Sequence, residues 1–352
     1  MREDAPAYSG SVLRYLDRLY AHGRQAGPDQ AENFRTWQGE ARERLRRLMG
    51  LDRMGRELAG WRPTVELGDA EPLDGLIRRC GHIEAEPDVR VPFWLLRPAG
   101  DGPFPLAITP HGHGDGDYDM YAGVAGDEAR RRRMVEEDRD VAAQAAREGF
   151  VAIAPATRGF LPVKVPDRKG RHGDRDCRSQ QMHCLAAGRT ALAERVWDVQ
   201  RLIDWAGGLG EVHGGRVLVT GNSGGGMVTT YAAAMDPRIG IAVPSCSFAP
   251  LVSLAGDLHH CDCNMIPGIL RWGEIWHVAG LIAPRHLCVV TGREDPLFDP
   301  PEVDRATAKA RELYALAGTP GRFEHHWGPA GHRFYKDLMW PFVRRALAEM
   351  PA

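Results

Sequence analysis

Apolar residues recur along this 352-residue chain in two patterns: short β-branched runs, and longer stretches with helical spacing. From residue 106 onward the two patterns alternate, which predicts a parallel sheet with helices on both faces. Three earlier runs, at 63–67, 81–85 and 89–97, predict an antiparallel start to the same sheet. We therefore expect an α/β protein built on a mostly parallel, doubly wound sheet.

Helical spacing dominates the first 60 residues. Between residues 11 and 20, and again between 31 and 54, apolar side chains fall on one face. The opposite face is rich in Arg and Glu, which favours exposed i,i+4 pairs. We expect residues 1–60 to form a helical extension packed on a catalytic domain of residues 61–352. An oligomer contact or a part of the substrate rim is the alternative role, so a homo-oligomer is left open.

The catalytic domain divides into further elements by the same patterns. A long polar loop is predicted at 155–181, and an insertion near the active site at 244–281. Buried strands are predicted at 150–154, 216–220 and 286–292, further strands at 105–110 and 322–327, and helices at 128–148, 189–205, 227–234 and 336–350.

Composition narrows the function classes. Forty-five Lys and Arg oppose 47 Asp and Glu, giving a net charge of -2, so no nucleic-acid or membrane partner is expected. No apolar run approaches the length of a membrane span. The start, Met1–Pro6, lacks the apolar core of a secretion signal, so a cytoplasmic location is expected. The seven cysteines are an odd, scattered set, for which reduced thiols are the default.

The most informative motif is Gly221-Asn222-Ser223-Gly224-Gly225, which reads G-x-S-x-G. A predicted strand precedes it and a predicted helix follows it, as a nucleophile elbow requires. Small neighbours let the serine adopt the strained turn that exposes its Oγ. The turn also aims the first helical N–H groups at a developing oxyanion. Ser223 is the predicted nucleophile, and a glycine-rich turn with an ordinary serine is the alternative.

An acid and a histidine follow in the order Ser, acid, His. Asp295 comes just after the strand at 286–292, between a permissive glycine and Pro296, and is the predicted acid. Glu294 and Asp299 are the rival acids. His332 lies on a glycine-flanked turn after the last predicted strand and is the predicted general base.

Upstream, His111-Gly112-His113-Gly114 follows an early strand and reads H-G-x-G, the oxyanion-hole loop of many esterases. The main-chain N–H groups of His113 and Gly224 are the predicted oxyanion donors. A metal site at His111 and His113 is the alternative, and it would draw on three nearby acids, Asp115, Asp117 and Asp119.

A second histidine- and cysteine-rich segment, His259-His260-Cys261-Asp262-Cys263, raises the question of zinc. Its spacing is not that of a zinc finger, and no second pair of ligands is evident in the sequence. A structural turn near the active-site mouth is the preferred interpretation, and no metal site is predicted. Metal analysis of the purified protein would decide the point.

With these pieces in order, the chain resembles the α/β-hydrolase superfamily over residues 80–350. The resemblance is to the bacterial acetyl xylan esterase-like and dienelactone hydrolase-like branch. Gly188-Arg189-Thr190 and the 194–198 segment support that branch. The better-known carbohydrate deacetylases of this fold carry R-G-Q-G and G-x-S-Q-G-G. Arg158-Gly159-Phe160 and the elbow depart from both patterns, which puts a sugar-acetate substrate in doubt.

These observations predict a serine carboxylic-ester hydrolase that works without a cofactor on a small-molecule ester, by way of an acyl-enzyme. Short-acyl, acetyl-type esters are the expected substrates. Three alternatives remain: an amidase or peptidase of the same fold, a dienelactone-type enzyme, which would normally carry a cysteine nucleophile, and a non-catalytic binding protein. The predicted substrate-binding residues are His111, Phe160, Phe248, Trp272 and Trp276.

Overall fold

The computed structural model describes the backbone of residues 5–351 except residues 25, 26, 29, 115, 116, 161, 172, 174 and 255. It describes the side chains of the same residues except 5–9 and 22–24. Within this part of the chain, ten strands form one mixed sheet in the order β1-β3-β4-β6-β5-β7-β8-β9-β10, with β2 paired to β3. The strands are β1 Thr64–Leu67, β2 Glu71–Leu73, β3 Leu76–Glu86, β4 Val89–Pro98, β5 Phe104–Ile108, β6 Val151–Pro155, β7 Val212–Asn222, β8 Ile239–Ser245, β9 His286–Gly292 and β10 Phe323–Gly328.

The sheet is antiparallel at one side and parallel through the rest. Strands β1, β3, β4 and β6 pair antiparallel, whereas β6, β5, β7, β8, β9 and β10 pair parallel. Central strands are buried and rich in Val, Ile, Leu and Ala, because helices cover both of their faces. The carboxyl ends of the parallel strands meet at one edge, where ligand sites of open α/β sheets form.

Helices lie on both faces of the sheet. Along each central strand the side chains alternate between two core clusters: Ile108 and Val219 belong to one, Ala107 and Leu218 to the other. The helices are α1 Ala5–Arg24, α2 Phe34–Met49, α3 Leu51–Glu57, α4 Asp117–Tyr121, α5 Glu128–Glu136, α6 Val141–Arg147, α7 Asp176–Ala186, α8 Ala191–Ala206, α9 Gly224–Met235, α10 Ile269–Trp272, α11 Ile275–Gly280, α12 Pro300–Leu316 and α13 Lys336–Glu349.

The N-terminal extension packs on the body of the domain through α2. Leu45 and Met49 are buried in the same core cluster as α8 and α9. Gln38 donates to the carbonyl oxygens of Gly280 and Ala283, at 3.0 and 2.5 Å. Arg42 donates from its guanidinium to the carbonyl oxygens of Ala234 and Leu281, at 2.9 and 2.7 Å. These bonds satisfy carbonyls at the ends of α9 and α11, which have no partner within their own helices.

Two predicted elements differ in the structure, and some observed elements were not predicted. The helix predicted over 128–148 is two helices, α5 and α6, because Asp138 adopts φ 53° between them. The loop predicted over 155–181 ends earlier, since α7 begins at Asp176. The short strand β2 has no counterpart among the predicted elements; it pairs along β3 through a turn at Asp74 and Gly75, both with positive φ. None of the described helices is both long enough and apolar enough to span a bilayer.

Candidate active site

The backbone at the end of β7 forms the sharp turn that a nucleophile elbow needs. Ser223 adopts φ 59° and ψ -122°, a strained conformation for a residue with a side chain. Its N–H donates to the carbonyl oxygen of Ser245 on β8 at 2.9 Å, and the Tyr121 hydroxyl accepts from the N–H of Asn222 at 3.2 Å. A Cβ at Gly225 would overlap the carbonyl oxygen of Pro110. The elbow is thus held by close backbone packing that only glycine permits.

An acid and an imidazole lie paired beside the elbow. Nδ1 of His332 lies 2.7 Å from Oδ2 of Asp295, whose side chain is fully buried. Oδ1 of Asp295 also accepts from the N–H of Leu297 at 3.0 Å, which fixes the carboxylate plane. The rival acids Glu294 and Asp299 are exposed. Among the three acids, the structure therefore brings Asp295 to the imidazole.

A buried thiol lies close behind this pair. The ligand-type atoms of Cys246, Asp295 and His332 lie within 4.8 Å of one another. Burial, and then the charge of Asp295, raises the pKa of the Cys246 thiol to about 12, so it stays neutral. Its Sγ donates to the carbonyl oxygen of Arg333 at 3.3 Å. Cys246 therefore supports the turn that carries His332 and brings no second charge.

The H-G-x-G loop lies against the elbow. A Cβ built at Gly112 would be 3.0 Å from the Cβ of Ser223 and 3.1 Å from the amide nitrogen of Gly224. A Cβ at Gly224 would be 3.3 Å from Nδ1 of His113. The loop after β5 and the first residue of α9 therefore lie side by side next to the serine. Helix N-termini present N–H groups that have no partner within the helix, as an oxyanion site requires.

His111 holds this loop in place from inside the protein. Its Nδ1–H donates to the carbonyl oxygen of Gly112 at 2.8 Å, and its Nε2 accepts the N–H of Thr157 at 2.9 Å. The ring is fully buried, and burial lowers the pKa of His111 to about 3. His111 is therefore a neutral supporting residue. The prediction that it contacts substrate does not agree with this placement.

The segment after β6 contributes Phe160 and a buried ion network. The ring of Phe160 lies 4.2 Å from that of His113 between centroids. Two residues earlier, the Arg158 guanidinium donates to both carboxylate oxygens of Asp198, one of them at 2.7 Å, and to Glu86 at 2.6 Å. Burial raises the pKa of Asp198 to about 6, although Arg158 opposes that shift. This network anchors the segment that places Phe160 beside the loop.

A cavity of about 440 Å³ opens above the elbow and contains the predicted nucleophile and base together. Its volume lies within the usual range for small-molecule sites. Half of its fourteen lining residues were not singled out from the sequence. Met227 had a readable signal, because it lies one helical turn after Ser223 on α9. Cys177 lies in the first turn of α7, and the remaining missed residues lie between the strands and helices given above. The missed lining residues are Arg175, Cys177, Met227, Ser247, Asn264, Leu297 and Phe298.

None of the aromatic residues predicted for the pocket is among the described residues that line this cavity, and Phe160, which packs against the ring of His113, is buried. Phe248 is fully buried in the main core cluster. Trp272 packs toward the N-terminal extension, and its indole donates to the carbonyl oxygen of Ala41 at 2.9 Å. Trp276 is 3% exposed, and its indole lies against His277. Each of these three rings is buried among other residues of the fold. The sequence pattern of the 244–281 segment does not distinguish an aromatic residue buried in this way from one that lines a pocket.

From the residues it describes, the structure does not assemble either metal site considered from the sequence, the one at His111 and His113 with the nearby acids or the one within the 259–263 segment. His259 and His260 turn to the carbonyl oxygens of Pro250 and Ala249, at 2.9 and 3.0 Å. Both nitrogens of His111 are engaged with backbone, as described above. Asp117 and Asp119 bind Arg139 and the Trp94 indole, at 3.0 and 2.8 Å. Asp115 lies outside the described residues.

Comparisons with known proteins place the fold. No known protein-family profile matches the chain. "Putative hydrolase YtaP" of Bacillus subtilis (strain 168) is 23% identical over 298 residues, which covers 83% of this chain and 93% of that protein.

Solved structures match over more of the chain. A crystal structure described as a "putative acetyl xylan esterase" from Bacteroides fragilis is 17% identical, with a TM-score of 0.71, covering 98% of this chain and 97% of that one. A glucuronoyl esterase from Solibacter usitatus is also 17% identical, with a TM-score of 0.58, covering 82% and 86%. The sheet order, the sharp turn at the end of β7 and these likenesses agree: the chain has the α/β-hydrolase fold.

Proposed function

We propose that the chain is a serine carboxylic-ester hydrolase with Ser223 as nucleophile, His332 as general base and Asp295 as the acid that orients it. The observation that carries the proposal is the 2.7 Å contact between Nδ1 of His332 and the buried carboxylate of Asp295, at a cavity that also contains Ser223. Because Asp295 occupies Nδ1, the Nε2 side of the ring remains for the serine proton. The hydrolase and esterase names of the relatives agree with this chemistry.

The proposed reaction has two steps. Oγ of Ser223 attacks the ester carbonyl as Nε2 of His332 takes the hydroxyl proton, and the imidazolium then protonates the leaving alcohol. In the second step, a water gives its proton to His332 and attacks the acyl-enzyme, releasing the acid and restoring the Ser223 hydroxyl. The main-chain N–H groups of His113 and Gly224 hold the oxyanion in both steps. Losing one such donor costs about 3 kcal/mol of transition-state stabilisation.

Short acyl groups are the proposed substrates. Phe160 and His113 both crowd Gly224, since a Cβ there would meet Cζ of Phe160 at 3.1 Å and Nδ1 of His113 at 3.3 Å. That crowding leaves little room for a long chain beside the oxyanion donors. The rest of the lining is mixed, since it includes the apolar Met227 and Phe298 as well as Arg175. It suits an alcohol part that has both an apolar face and polar groups.

The first experiment measures hydrolysis of p-nitrophenyl acetate by the wild-type chain and by Ser223→Ala. We expect the variant to lose at least about a thousandfold in kcat/KM, with an unchanged circular dichroism spectrum. Ser253→Ala, which changes a serine outside the cavity, is the matched control and should retain the wild-type rate. A Ser223→Ala rate within tenfold of wild type would overturn the assignment.

A second set of measurements distinguishes the esterase from the amidase and from the non-catalytic binding protein. A fluorophosphonate probe should label the wild-type chain and leave Ser223→Ala unlabelled. p-Nitrophenyl esters of two to twelve carbons and p-nitroacetanilide then rank acyl length and amide cleavage. Faster cleavage of the anilide than of the acetate ester would replace the esterase proposal with an amidase. A chain that neither labels nor turns over would be a binding protein.

A further inference from the structure

Three thiols and one imidazole meet at the wall of the catalytic cavity, although they come from three distant parts of the chain. Cys177 lies in the first turn of α7, whereas Cys261 and Cys263 lie between β8 and β9. His113 comes from the H-G-x-G loop after β5. Their four ligand-type atoms all lie within 4.8 Å of one another. None of the four is used as a proton donor or nucleophile in the proposed hydrolysis.

Two of the six separations within this cluster are close to the edges of a zinc tetrahedron. Sγ of Cys177 lies 3.8 Å from Sγ of Cys261, and Sγ of Cys263 lies 3.3 Å from Nε2 of His113. With Zn–S near 2.3 Å and Zn–N near 2.0 Å, a tetrahedral site has S–S edges of about 3.8 Å and S–N edges of about 3.5 Å. Three thiols and an imidazole packed at these distances are the donor set of a closed structural zinc site.

The buried guanidinium of Arg195 lies beside the cluster and would be stabilised by a negative charge there. Arg195 is 1% exposed, and its Nη1 lies 3.4 Å from Sγ of Cys263 and 3.0 Å from Oδ1 of Asn264. Across the described residues no ion pair involves Arg195, and its buried Nη2 has no hydrogen-bond partner. A buried charge without a counterion is strongly destabilising. Three thiolates, one Zn²⁺ and a neutral imidazole sum to -1, which is the charge that would balance Arg195.

We propose that His113, Cys177, Cys261 and Cys263 bind one zinc ion, which ties the oxyanion loop to α7 and to the 244–281 segment. All four positions of the tetrahedron are filled by protein, so the ion has no open position for water or substrate. The zinc ion would act on catalysis by positioning a group. Because the metal fixes the ring of His113, it also holds the main-chain N–H of that residue next to Gly224. His113 is thus a positioning residue through its side chain. The site replaces the expectation, drawn from sequence spacing, that no metal is bound.

The test is metal content, which does not depend on whether the chain hydrolyses esters. The full chain is produced in zinc-supplemented medium, purified without chelator, and measured by plasma mass spectrometry. We expect about one zinc per wild-type chain, and less than a tenth of that in Cys177→Ser, Cys261→Ser and Cys263→Ser. Cys80→Ser, which changes an exposed cysteine on β3, is the matched control and should retain the metal.

A second measurement covers the case in which the variants fold poorly. Wild-type chain stripped of zinc and loaded with Co²⁺ should show the intense visible absorption of tetrahedral cobalt bound by thiolates, and added Zn²⁺ should abolish it. A wild-type chain with less than a tenth of an equivalent of zinc and no such cobalt spectrum overturns the proposal. So does a Cys177–Cys261 disulfide in the non-reduced protein, or zinc retained in all three cysteine variants.

Discussion

The buried neutral histidine beneath the oxyanion loop makes a quantitative prediction about acid stability. In the folded chain the pKa of His111 is lowered to about 3 by burial, whereas an unfolded histidine titrates near 6.5. Below pH 6.5 the unfolded chain therefore binds a proton that the folded chain excludes, and stability falls as the pH falls. Between pH 7.5 and pH 5.0 this one group should cost about 2 kcal/mol of unfolding free energy, since ~1.5 pH units lie below the unfolded pKa at ~1.4 kcal/mol each.

His111→Gln removes that titration and keeps an acceptor for the Thr157 N–H. The variant should be less stable than wild type at pH 7.5, because the bond to the Gly112 carbonyl is lost, by about 1 kcal/mol. At pH 5.0 the order should reverse or the gap close, with a relative gain of about 2 kcal/mol for the variant. The other buried histidines are present in both the wild type and the variant, so their contributions to the pH dependence of stability cancel in this comparison.

Equilibrium urea unfolding, followed by tryptophan fluorescence at both pH values, measures this gain. The matched control is His183→Gln, at an exposed position on α7 where a charge stays in water. It should follow wild type at both pH values. Parallel losses by wild type and His111→Gln, with a difference constant to within about 0.5 kcal/mol, would refute the reasoning.

Two further predictions test the site. Asp295→Asn should lower kcat for p-nitrophenyl acetate by about a thousandfold or more, because an amide can hold the wrong His332 tautomer. Glu294→Gln, at an exposed rival acid, should keep the wild-type rate, and the reverse ranking would move the acid to Glu294. Gly225→Ala should lower the unfolding free energy by more than about 2 kcal/mol in urea titrations, since its Cβ would overlap the Pro110 carbonyl. Gly39→Ala, in open space on α2, should raise it by about 0.5–1 kcal/mol, and equal effects of the two changes would contradict the packing argument.

The sheet was predictable because its central strands are buried on both faces. Strand β9 has the predicted bounds, 286–292, and strand β7 contains the predicted run at 216–220. Most side chains of such a strand are apolar, so a run of hydrophobic residues marks it. The break between α5 and α6 was not predictable in this way. Asp138 reverses the chain at positive φ, and the polar residues on either side of it suit a helix surface equally well.

The residues of the proposed triad could be chosen from the sequence for a different reason, namely that each follows a strand on a short turn. Ser223 follows β7, Asp295 follows β9 and His332 follows β10. Strand order and glycine spacing then bring the three turns to one edge of the sheet. The other lining residues, such as Arg175, Ser247 and Phe298, are spread over segments between the strands and helices, where side-chain direction depends on tertiary contacts. Trp272 shows the failure: its size suggested a wall, whereas its indole hydrogen-bonds to the N-terminal extension.

Different interactions hold the two sides of the proposed active site, and this difference determines how each side responds to acid. The His332 side rests on a hydrogen bond from its Nδ1–H to the fully buried carboxylate of Asp295, and on backbone contacts of the same turn. The oxyanion side rests on His111, whose Nε2 accepts the Thr157 N–H only while the ring is neutral. A proton on that nitrogen removes the acceptor and places a charge in a fully buried site. Acid therefore acts on the oxyanion loop through the same buried ring that fixes it at neutral pH.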